Sequence, residues 1–370
     1  MTKVGQKKKV FVGLSGGVDS AVSAGLLLKA GYDVTGVFIK VWQPDWIECN
    51  WKEERRDAMR VAAHFGIPFI TLDLVNEYKQ DVIDYMIREY SGGRTPNPDV
   101  MCNRYVKFGG FWKWAKEQGA DYVATGHYAR VDESSVGGVK EYNLLKGLDN
   151  NKDQSYFLWT LNEKDLPHVL FPVGHLQKSE VRLQADKFGL PNASKKDSQG
   201  LCFIGKVDIK EFLAHYIKTE KGNVLNEKGE VVGEHNGSIF FTKGERHGFK
   251  LFEKTPNDAP FYVIDKDVEQ NTITVSNKVG GLLPLGEKMV TISSVNWVSG
   301  KIPVFDPIRQ DFFPLQARSR YRQELSDIRI VSANISEVTL EFARPQDILS
   351  AGQSLVIYDG EKCVGGGVIE

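Results

Sequence analysis

The sequence contains no hydrophobic run long enough to cross a membrane, and the basic residues 7–9 lead into an apolar run too short for a secretory signal. Only four cysteines occur in 370 residues, and none forms a C-x-x-C pair, which argues against a zinc site and against a redox dithiol. Neither a Walker phosphate loop nor a G-x-G-x-x-G motif is present. We therefore expect a cytoplasmic protein without a bound structural metal.

The charges nearly cancel, which leaves a net charge of −1. This balance neither requires nor excludes a nucleic-acid partner, because RNA binding needs only a local basic face. A chain of 370 residues is long for one hydrophobic core, so roughly two or three domains are expected.

Short β-rich runs alternate with amphipathic helical runs from residue 9 to about residue 130. The predicted strands cover residues 10–12, 34–41, 67–74 and 122–125, and the predicted helices cover residues 21–30, 53–65, 77–90 and the surroundings of 111–115. This alternation predicts an α/β fold with a doubly wound parallel sheet. Ligands in such sheets bind at the carboxyl ends of the strands.

The later sequence has a different pattern. A polar stretch, residues 132–140, predicts an exposed hairpin loop, after which helices are expected to resume until about residue 188. A hairpin is predicted over residues 223–234, and strand pairs are predicted over 261–264 with 272–275, 329–333 with 338–342, and 355–358 with 363–369. We expect an α/β domain over residues 1–205, a small central domain over 206–285 and a C-terminal β-barrel over 286–370.

The most informative segment is Gly-Leu-Ser-Gly-Gly-Val-Asp-Ser at residues 13–20, between a predicted strand and a predicted helix. Gly16 and Gly17 can take positive φ and let the main chain approach an anion, while Ser15 and Ser20 add hydroxyl donors. The carboxylate of Asp19 would repel a phosphate unless a cation intervenes, which indicates bound Mg²⁺ or a helix-capping role. The segment resembles the PP-loop of the ATP pyrophosphatases and implies adenylation of a substrate.

A second segment, Arg-Thr-Pro-Asn-Pro-Asp-Val-Met-Cys-Asn at residues 94–103, places a carboxylate and a thiol three residues apart where a helix resumes. Asp99 and Cys102 would then share a helix face. A third segment, residues 195–205, carries Cys202 after two lysines, whose charge favours a thiolate. For each cysteine, a reactive thiol and a buried structural side chain are both consistent with the pattern.

Together these segments make the chain similar to the tRNA-specific 2-thiouridylases of the MnmA family. The family motifs are present in order at residues 13–20, 94–103, 124–130, 151–158, 197–205, 320–323, 352–358 and 365–370. The resemblance implies that ATP adenylates O2 of the wobble uridine of tRNA, that Mg²⁺ offsets phosphate charge, that Cys202 carries a persulfide sulfur, that Cys102 is its partner thiol, and that Asp99 is the acid/base.

The resemblance also implies which other residues bind the substrates. The ATP-binding residues would be Gly13, Leu14, Ser15, Gly16, Gly17, Val18, Asp19 and Ser20, with Ile39 and Gly126 near the adenosine. The tRNA-binding residues would be Asn97, Pro98, Asp99, His127, Lys152, Asp153, Gln154, Arg320, Tyr321 and Gln353. The implied partners are the tRNAs for Lys, Glu and Gln and a sulfur donor, either a cysteine desulfurase or a sulfur relay protein.

From the residues alone, several of these positions have a structural interpretation as well. His127 is equally typical of a hydrogen-bonded, half-buried histidine, and Arg320 with Tyr321 suits an ordinary barrel strand. Two other functions also fit the phosphate loop: an amide-forming ligase that needs no cysteine pair, and an RNA-binding protein without catalysis.

One segment departs from the family pattern. Residues 243–249 read Lys-Gly-Glu-Arg-His-Gly-Phe where Leu-Gly-Gln-Arg-Lys-Gly-Leu is usual, so Glu245 puts a negative charge where a neutral amide is expected. A carboxylate there would weaken or rearrange an RNA contact, because phosphate repels it. Ile39 replaces a more usual methionine and keeps an apolar wall for adenine.

Overall fold

The computed structural model of the protein describes residues 7–46, 51–136, 138–196, 209–253, 259–277, 287–303, 313–334, 336–346 and 349–370. Cys49, Cys202 and the whole motif at residues 197–205 lie outside these ranges. Within the ranges, no helix combines the length and the apolar character that a bilayer crossing requires.

The strands, in chain order, are β1 (Lys9–Gly13), β2 (Asp33–Lys40), β3 (Phe69–Asp73), β4 (Tyr122–Ala124), β5 (Ala129–Val136), β6 (Val139–Lys146), β7 (Val169–Leu170), β8 (Gly222–Leu225), β9 (Val231–His235), β10 (Phe249–Leu251), β11 (Tyr262–Asp267), β12 (Thr272–Ser276), β13 (Glu287–Trp297), β14 (Leu315–Arg318), β15 (Ser326–Ala333), β16 (Glu337–Gln346), β17 (Ser354–Asp359) and β18 (Lys362–Ile369). The α-helices are α1 (Val18–Lys29), α2 (Trp51–Phe65), α3 (Val75–Tyr78), α4 (Tyr85–Ser91), α5 (Pro98–Met101), α6 (Phe111–Glu117), α7 (Lys178–Lys187) and α8 (Ile209–Ala214).

The first sheet is parallel throughout, in the order β3-β2-β1-β4-β7. Its strands bury side chains on both faces: Val10 and Val12 pack with helices α1, α2 and α7, whereas Phe11 packs on the opposite side with the helices of residues 75–117. The predicted doubly wound α/β fold is confirmed. Glycine ends α1 as predicted, because Gly31 has a φ of +87° that other residues rarely adopt.

Two of the helical stretches widen into π-helix. Residues Lys79–Asp84 separate α3 from α4, and residues Cys102–Gly110 separate α5 from α6. The continuous helical stretch that contains α5 and α6 therefore begins at Pro98, earlier than the predicted helix around residues 111–115. Cys102 is the first residue of its widened turn, and such turns occur frequently at functional sites.

Residues 222–276 form a separate five-stranded sheet in the order β10-β9-β8-β12-β11. The predicted hairpin over residues 223–234 is present as β8 and β9, with Val224 opposite Gly233. Val224, Val263 and Ile273 are fully buried and form the small core of this unit with Phe241.

The C-terminal strands form a six-stranded barrel in the order β13-β16-β15-β14-β17-β18, which closes through pairing of β13 with β18. The predicted C-terminal barrel is confirmed. The polar stretch over residues 132–140 is a hairpin, but it is built from the ordered strands β5 and β6 rather than a loop, and β6 pairs with β18 of the barrel. No α-helix resumes directly after it, since residues 147–177 contain turns, two three-residue 3₁₀-helices and β7 before α7 begins.

Candidate active site

The residue 13–20 segment connects β1 to α1, as a phosphate loop requires. Gly16 has a φ of +78°, and a Cβ there would lie 2.6 Å from the carbonyl oxygen of Glu54, so no side chain fits. Gly17 differs from the prediction: its φ of −85° is extended and suits any residue. The two serines bind each other across the turn, with the Ser15 amide donating to Ser20 Oγ at 3.2 Å. These contacts hold the loop in shape before any ligand enters.

Asp19 has a partner that the sequence did not reveal. Lys178 Nζ, at the start of α7, lies 2.7 Å from Asp19 Oδ1, and the hydroxyl of Tyr128 donates to the same oxygen at 2.8 Å. The helix-capping role is wrong, because Gly17 occupies the N-cap position of α1 and no side chain caps that end. The Lys178 ammonium supplies the positive charge beside Asp19. The Asp19 carboxylate is therefore already neutralised within the protein.

The residues after β4 pack directly behind the loop. A Cβ on Gly126 would lie 2.7 Å from the amide nitrogen of Ser20, so only glycine allows this approach. His127 is 8% exposed, and its Nδ1 lies 2.7 Å from Thr125 Oγ1. Burial, reinforced by the charge of Lys107, holds the pKa of His127 well below its usual value, so the imidazole is neutral at pH 7. Ile39, near the end of β2, is half-buried and packs against the core.

The residue 94–103 loop is held by the barrel. The amide of Thr95 donates to Ala351 O at 2.8 Å, and Gln353 Nε2 donates to Thr95 O at 2.8 Å. Arg94 forms an ion pair with Glu370 at 3.0 Å. Gln353, predicted to bind tRNA, therefore uses its amide nitrogen to anchor this loop.

Inside the loop, Asn97 caps α5 by accepting a hydrogen bond from the Val100 amide at 3.3 Å. Its side chain also hydrogen-bonds to Tyr156, whose hydroxyl donates to Ser319 O of the barrel at 2.9 Å. Asp99 is half-buried, whereas Cys102 is 2% exposed. The expected partner thiol, Cys202, lies outside the described residues.

The residue 151–154 segment links these two loops. Gln154 Oε1 accepts a hydrogen bond from the backbone amide of Tyr128 at 3.0 Å. The backbone amide of Gln154 donates to Tyr128 O at 2.8 Å. Asp153 is 3% exposed and is paired with Arg318 of the barrel. Lys152 is half-buried, and its carbonyl accepts a hydrogen bond from the Tyr321 hydroxyl at 3.4 Å.

Arg320 and Tyr321 lie in the turn after β14, where Tyr321 packs on Phe157 with ring centroids 4.8 Å apart. Arg320 is exposed, and its Nη2 donates to Lys243 O of the central domain at 3.1 Å. The turn is thus in contact with both other parts of the molecule, and its guanidinium is accessible to an anionic partner.

The unusual Glu245 is paired within the protein. Its carboxylate lies 2.5 Å from Lys210 Nζ and accepts the Thr242 amide at 3.2 Å. Because the charge is compensated by Lys210, the repulsion expected from the sequence is reduced.

A family model described as tRNA methyl transferase HUP domain matches residues 8–206. A PRC-barrel model with the same tRNA methyl transferase description matches residues 210–277, and a model described as aminomethyltransferase beta-barrel domain matches residues 287–369. The chain is 42% identical over 368 residues to the tRNA-specific 2-thiouridylase MnmA of Streptococcus mutans, an alignment that covers 98% of this chain and 95% of that protein. The chain belongs to the MnmA family.

A second MnmA relative, from a Shewanella species, is 43% identical over 370 residues and covers 98% of this chain and 96% of that protein. Among solved structures, a 4-thiouridine synthetase in complex with RNA and ATP is 24% identical, with a TM-score of 0.33, and the match covers 56% of this chain and 50% of that one. Because the alignments to the two MnmA relatives each cover 98% of this chain, the similarity extends through all three parts of the molecule.

Among the residues that the structure describes, sequence analysis missed four that support the site: Tyr128, Tyr156, Lys178 and Arg318. Tyr128 and Tyr156 lie inside the family motifs at residues 124–130 and 151–158, so their position in the sequence could have marked them as site residues. Lys178 and Arg318 had no such signal, because each reaches its partner from more than a hundred residues away.

Proposed function

We propose that this protein is an ATP-dependent tRNA 2-thiouridylase that converts the wobble uridine to 2-thiouridine, giving AMP and pyrophosphate. The observation that carries the proposal is the physical connection between its two reactive loops. Asp19 of the phosphate loop binds Tyr128, and Tyr128 binds Gln154. The Phe157 amide donates to Gln154 O at 3.0 Å, and Asn103 beside Cys102 donates to Phe157 O at 3.0 Å. A nucleotide and a nucleoside are thereby held by one connected framework.

The phosphate loop, residues 13–20, binds the pyrophosphate end of ATP, with Ile39 and Gly126 beside the adenosine. The amides and hydroxyls of the loop donate to phosphate oxygens, and the uridine O2 attacks the α-phosphate. O2 is a poor leaving group, and its conversion to AMP solves that problem.

Mg²⁺ fits this loop, because the cation takes most of its ligands from phosphates and water and needs only one or two carboxylates. Asp19, with its side chain 31% exposed, would hold it, and Mg²⁺ would supply charge neutralisation to the phosphates. No cluster of three or more possible metal-ligating side chains occurs among the residues that the structure describes.

The sulfur is delivered by Cys202. The terminal sulfur of its persulfide attacks C2 of the adenylated uridine, a C–S bond forms, and AMP leaves with the former O2. Cys102 then attacks the Cys202 sulfur, which releases 2-thiouridine and leaves a disulfide for an external thiol to reduce; in the other route Cys102 first frees sulfide from the persulfide. Asp99 is the acid/base that handles the N3 proton of the uridine.

The tRNA is bound by Asn97, Pro98 and Asp99 around the target base and by His127, Lys152, Arg320 and Tyr321 elsewhere, with Gln154 and Gln353 holding the loops. The substrates are the tRNAs for Lys, Glu and Gln in the cytoplasm. The sulfur donor is a cysteine desulfurase or a sulfur relay protein.

The deciding experiment incubates the protein with ATP, Mg²⁺, a persulfide-generating sulfur source and unmodified tRNA, followed by mass analysis of the nucleosides. We expect 2-thiouridine at the wobble position only. A methylated nucleoside would support the methyl transfer that the family-model descriptions mention, and pyrophosphate release without a sulfur-containing product would favour a ligase. The Cys102→Ser and Cys202→Ser variants should lose thiolation, while Cys363→Ser, the matched control, should retain it.

A further inference from the structure

The most deeply buried ion pair among the described residues joins two parts of the molecule. Arg318, the last residue of β14 in the barrel, places Nη2 2.5 Å from Asp153 Oδ2, which lies in the α/β part of the chain. The two side chains are 7% and 3% exposed. Since each ion would be costly to bury alone, the pair commits these two segments to one relative position.

Both carboxylate oxygens of Asp153, and Nε and Nη2 of Arg318, have further partners. Asp153 Oδ1 accepts the amides of Gly147 and Ser155 at 2.9 and 3.0 Å. Arg318 Nη2 donates to the hydroxyl of Tyr358 at 2.8 Å, and that hydroxyl lies 3.1 Å from Ser155 Oγ. A buried network of this kind favours one geometry, because a shift of any hydrogen-bonded member leaves a buried group without its partner.

The residues beside the pair reach the surface: Arg320 is exposed, and Lys152 and Tyr321 are half-buried. Lys152 precedes Asp153, and Arg320 with Tyr321 follow Arg318 by two and three residues. The Arg320 turn is itself fixed, because Gln323 Oε1 accepts from the amides of Ser319 and Arg320 at 2.9 and 3.0 Å. The network is therefore the internal support of a surface assembled from two distant segments.

We infer that Asp153 and Arg318 are positioning residues for tRNA: their buried ion pair sets the spacing between Lys152 and the Arg320–Tyr321 turn, so that both contact the same tRNA backbone. This role rests on the proposed function. It changes the role of Asp153 from a tRNA ligand to a support, which agrees with a carboxylate being poorly suited to contact phosphate.

The test measures tRNA affinity over a range of salt concentrations, ATP affinity and thermal stability for Asp153→Asn, Arg318→Met and the double variant. We expect tRNA binding to weaken between about twofold and thirtyfold, with ATP affinity unchanged. The logarithm of tRNA affinity should depend less steeply on the logarithm of salt concentration. The decrease in slope should correspond to the loss of roughly one to two phosphate contacts. The double variant should bind tRNA no worse than the weaker single variant, because the two residues act as one unit.

Arg329→Met is the matched control. Arg329 pairs with Glu341 at 2.5 Å, also in the barrel and largely buried, but its partner lies on the neighbouring strand β16. It should lower stability without changing tRNA affinity or the salt slope. If Arg318→Met does not fold, Arg318→Lys and Tyr358→Phe test the same geometry with smaller changes, and each should weaken tRNA binding by a few fold.

Unchanged tRNA affinity and salt slope in folded Asp153→Asn and Arg318→Lys proteins, with lowered stability as in Arg329→Met, would overturn the inference and leave only a structural role. Additive losses in the double variant would instead show that Asp153 contacts tRNA independently. Failure of the wild-type protein to thiolate tRNA would refute the proposed function, whereas wild-type thiolation with unaffected variants would refute only the positioning role.

Discussion

Lys178 Nζ lies 2.7 Å from Asp19 Oδ1, so the single carboxylate of the phosphate loop has its counter-charge supplied from the start of a helix 159 residues further along the chain. The Lys178 side chain is 16% exposed, so solvent screens the pair only partly. Because Asp19 belongs to the proposed ATP-binding loop, we expect both members of this pair to affect the ATP step.

Replacing Lys178 with Met should raise KM for ATP roughly 10- to 100-fold, because Asp19 loses its counter-charge and the proposed phosphate site loses a charged hydrogen-bond donor. The free energy of unfolding should change by less than about 1 kcal/mol, since the pair is partly exposed. Steady-state pyrophosphate release with saturating tRNA measures the effect. Lys187→Met, at the exposed far end of the same helix, is the control and should behave as wild type.

Replacing Asp19 with Asn should impair the ATP step while tRNA affinity stays within about twofold of wild type. The substitution keeps an oxygen for the Tyr128 hydroxyl but removes the charge that pairs with Lys178. Separate binding titrations with ATP and with tRNA measure the two affinities. Equal losses in both would indicate a structural role for Asp19.

Gly126→Ala should reduce ATP affinity and lower the free energy of unfolding by about 1–3 kcal/mol, because its Cβ would lie 2.7 Å from the Ser20 amide nitrogen and push the phosphate loop. Gly92→Ala is the matched control, since its Cβ would meet its nearest atom at an ordinary 3.5 Å. Chemical denaturation and ATP titration of both variants check this. Equal behaviour of the two proteins would contradict the packing argument.

Cys363→Ala should leave thiolation unchanged and lower the free energy of unfolding by only about 1 kcal/mol. Burial raises the pKa of the Cys363 thiol to about 12, so it carries no thiolate at pH 7 and resists alkylation in the folded protein. Mass mapping after iodoacetamide treatment, together with the thiolation assay, tests both statements. A folded Cys363→Ala protein without activity would count against the assigned cysteine pair.

The stability of the protein should fall as pH drops below about 6.5. The pKa of His127 is lowered in the folded state, so in that window the unfolded chain binds a proton that the folded protein does not, and the stability present above the unfolded pKa is lost. His127→Gln should reduce the slope of unfolding free energy against pH by up to about 1.4 kcal/mol per pH unit. Urea denaturation between pH 5 and pH 7 measures the slope, and an identical slope in the variant would show that His127 is protonated in the folded protein.

The sequence allowed the parallel sheet and the phosphate loop to be predicted because both leave local signals: apolar runs of strand length, and glycines at a strand-to-helix turn. The roles of Asp153 and Gln353 were less visible, since a motif marks a residue as important without showing what it touches. Both side chains engage neighbours from other parts of the chain. Pairing of β6 with β18 was equally hidden, because alternation along a strand reports which face is buried and not which strand lies beside it.

The hairpin of β5 and β6 has a practical consequence for anyone dividing this chain into pieces. The Lys146 amide donates to Glu361 O at 2.9 Å, and Arg130 is paired with Glu361 at 3.0 Å. A fragment that stops near residue 286 would uncover the end of β6 at Leu145 and Lys146, and unpaired peptide groups there can pair with another chain. Truncated proteins should therefore self-associate more than the intact polypeptide.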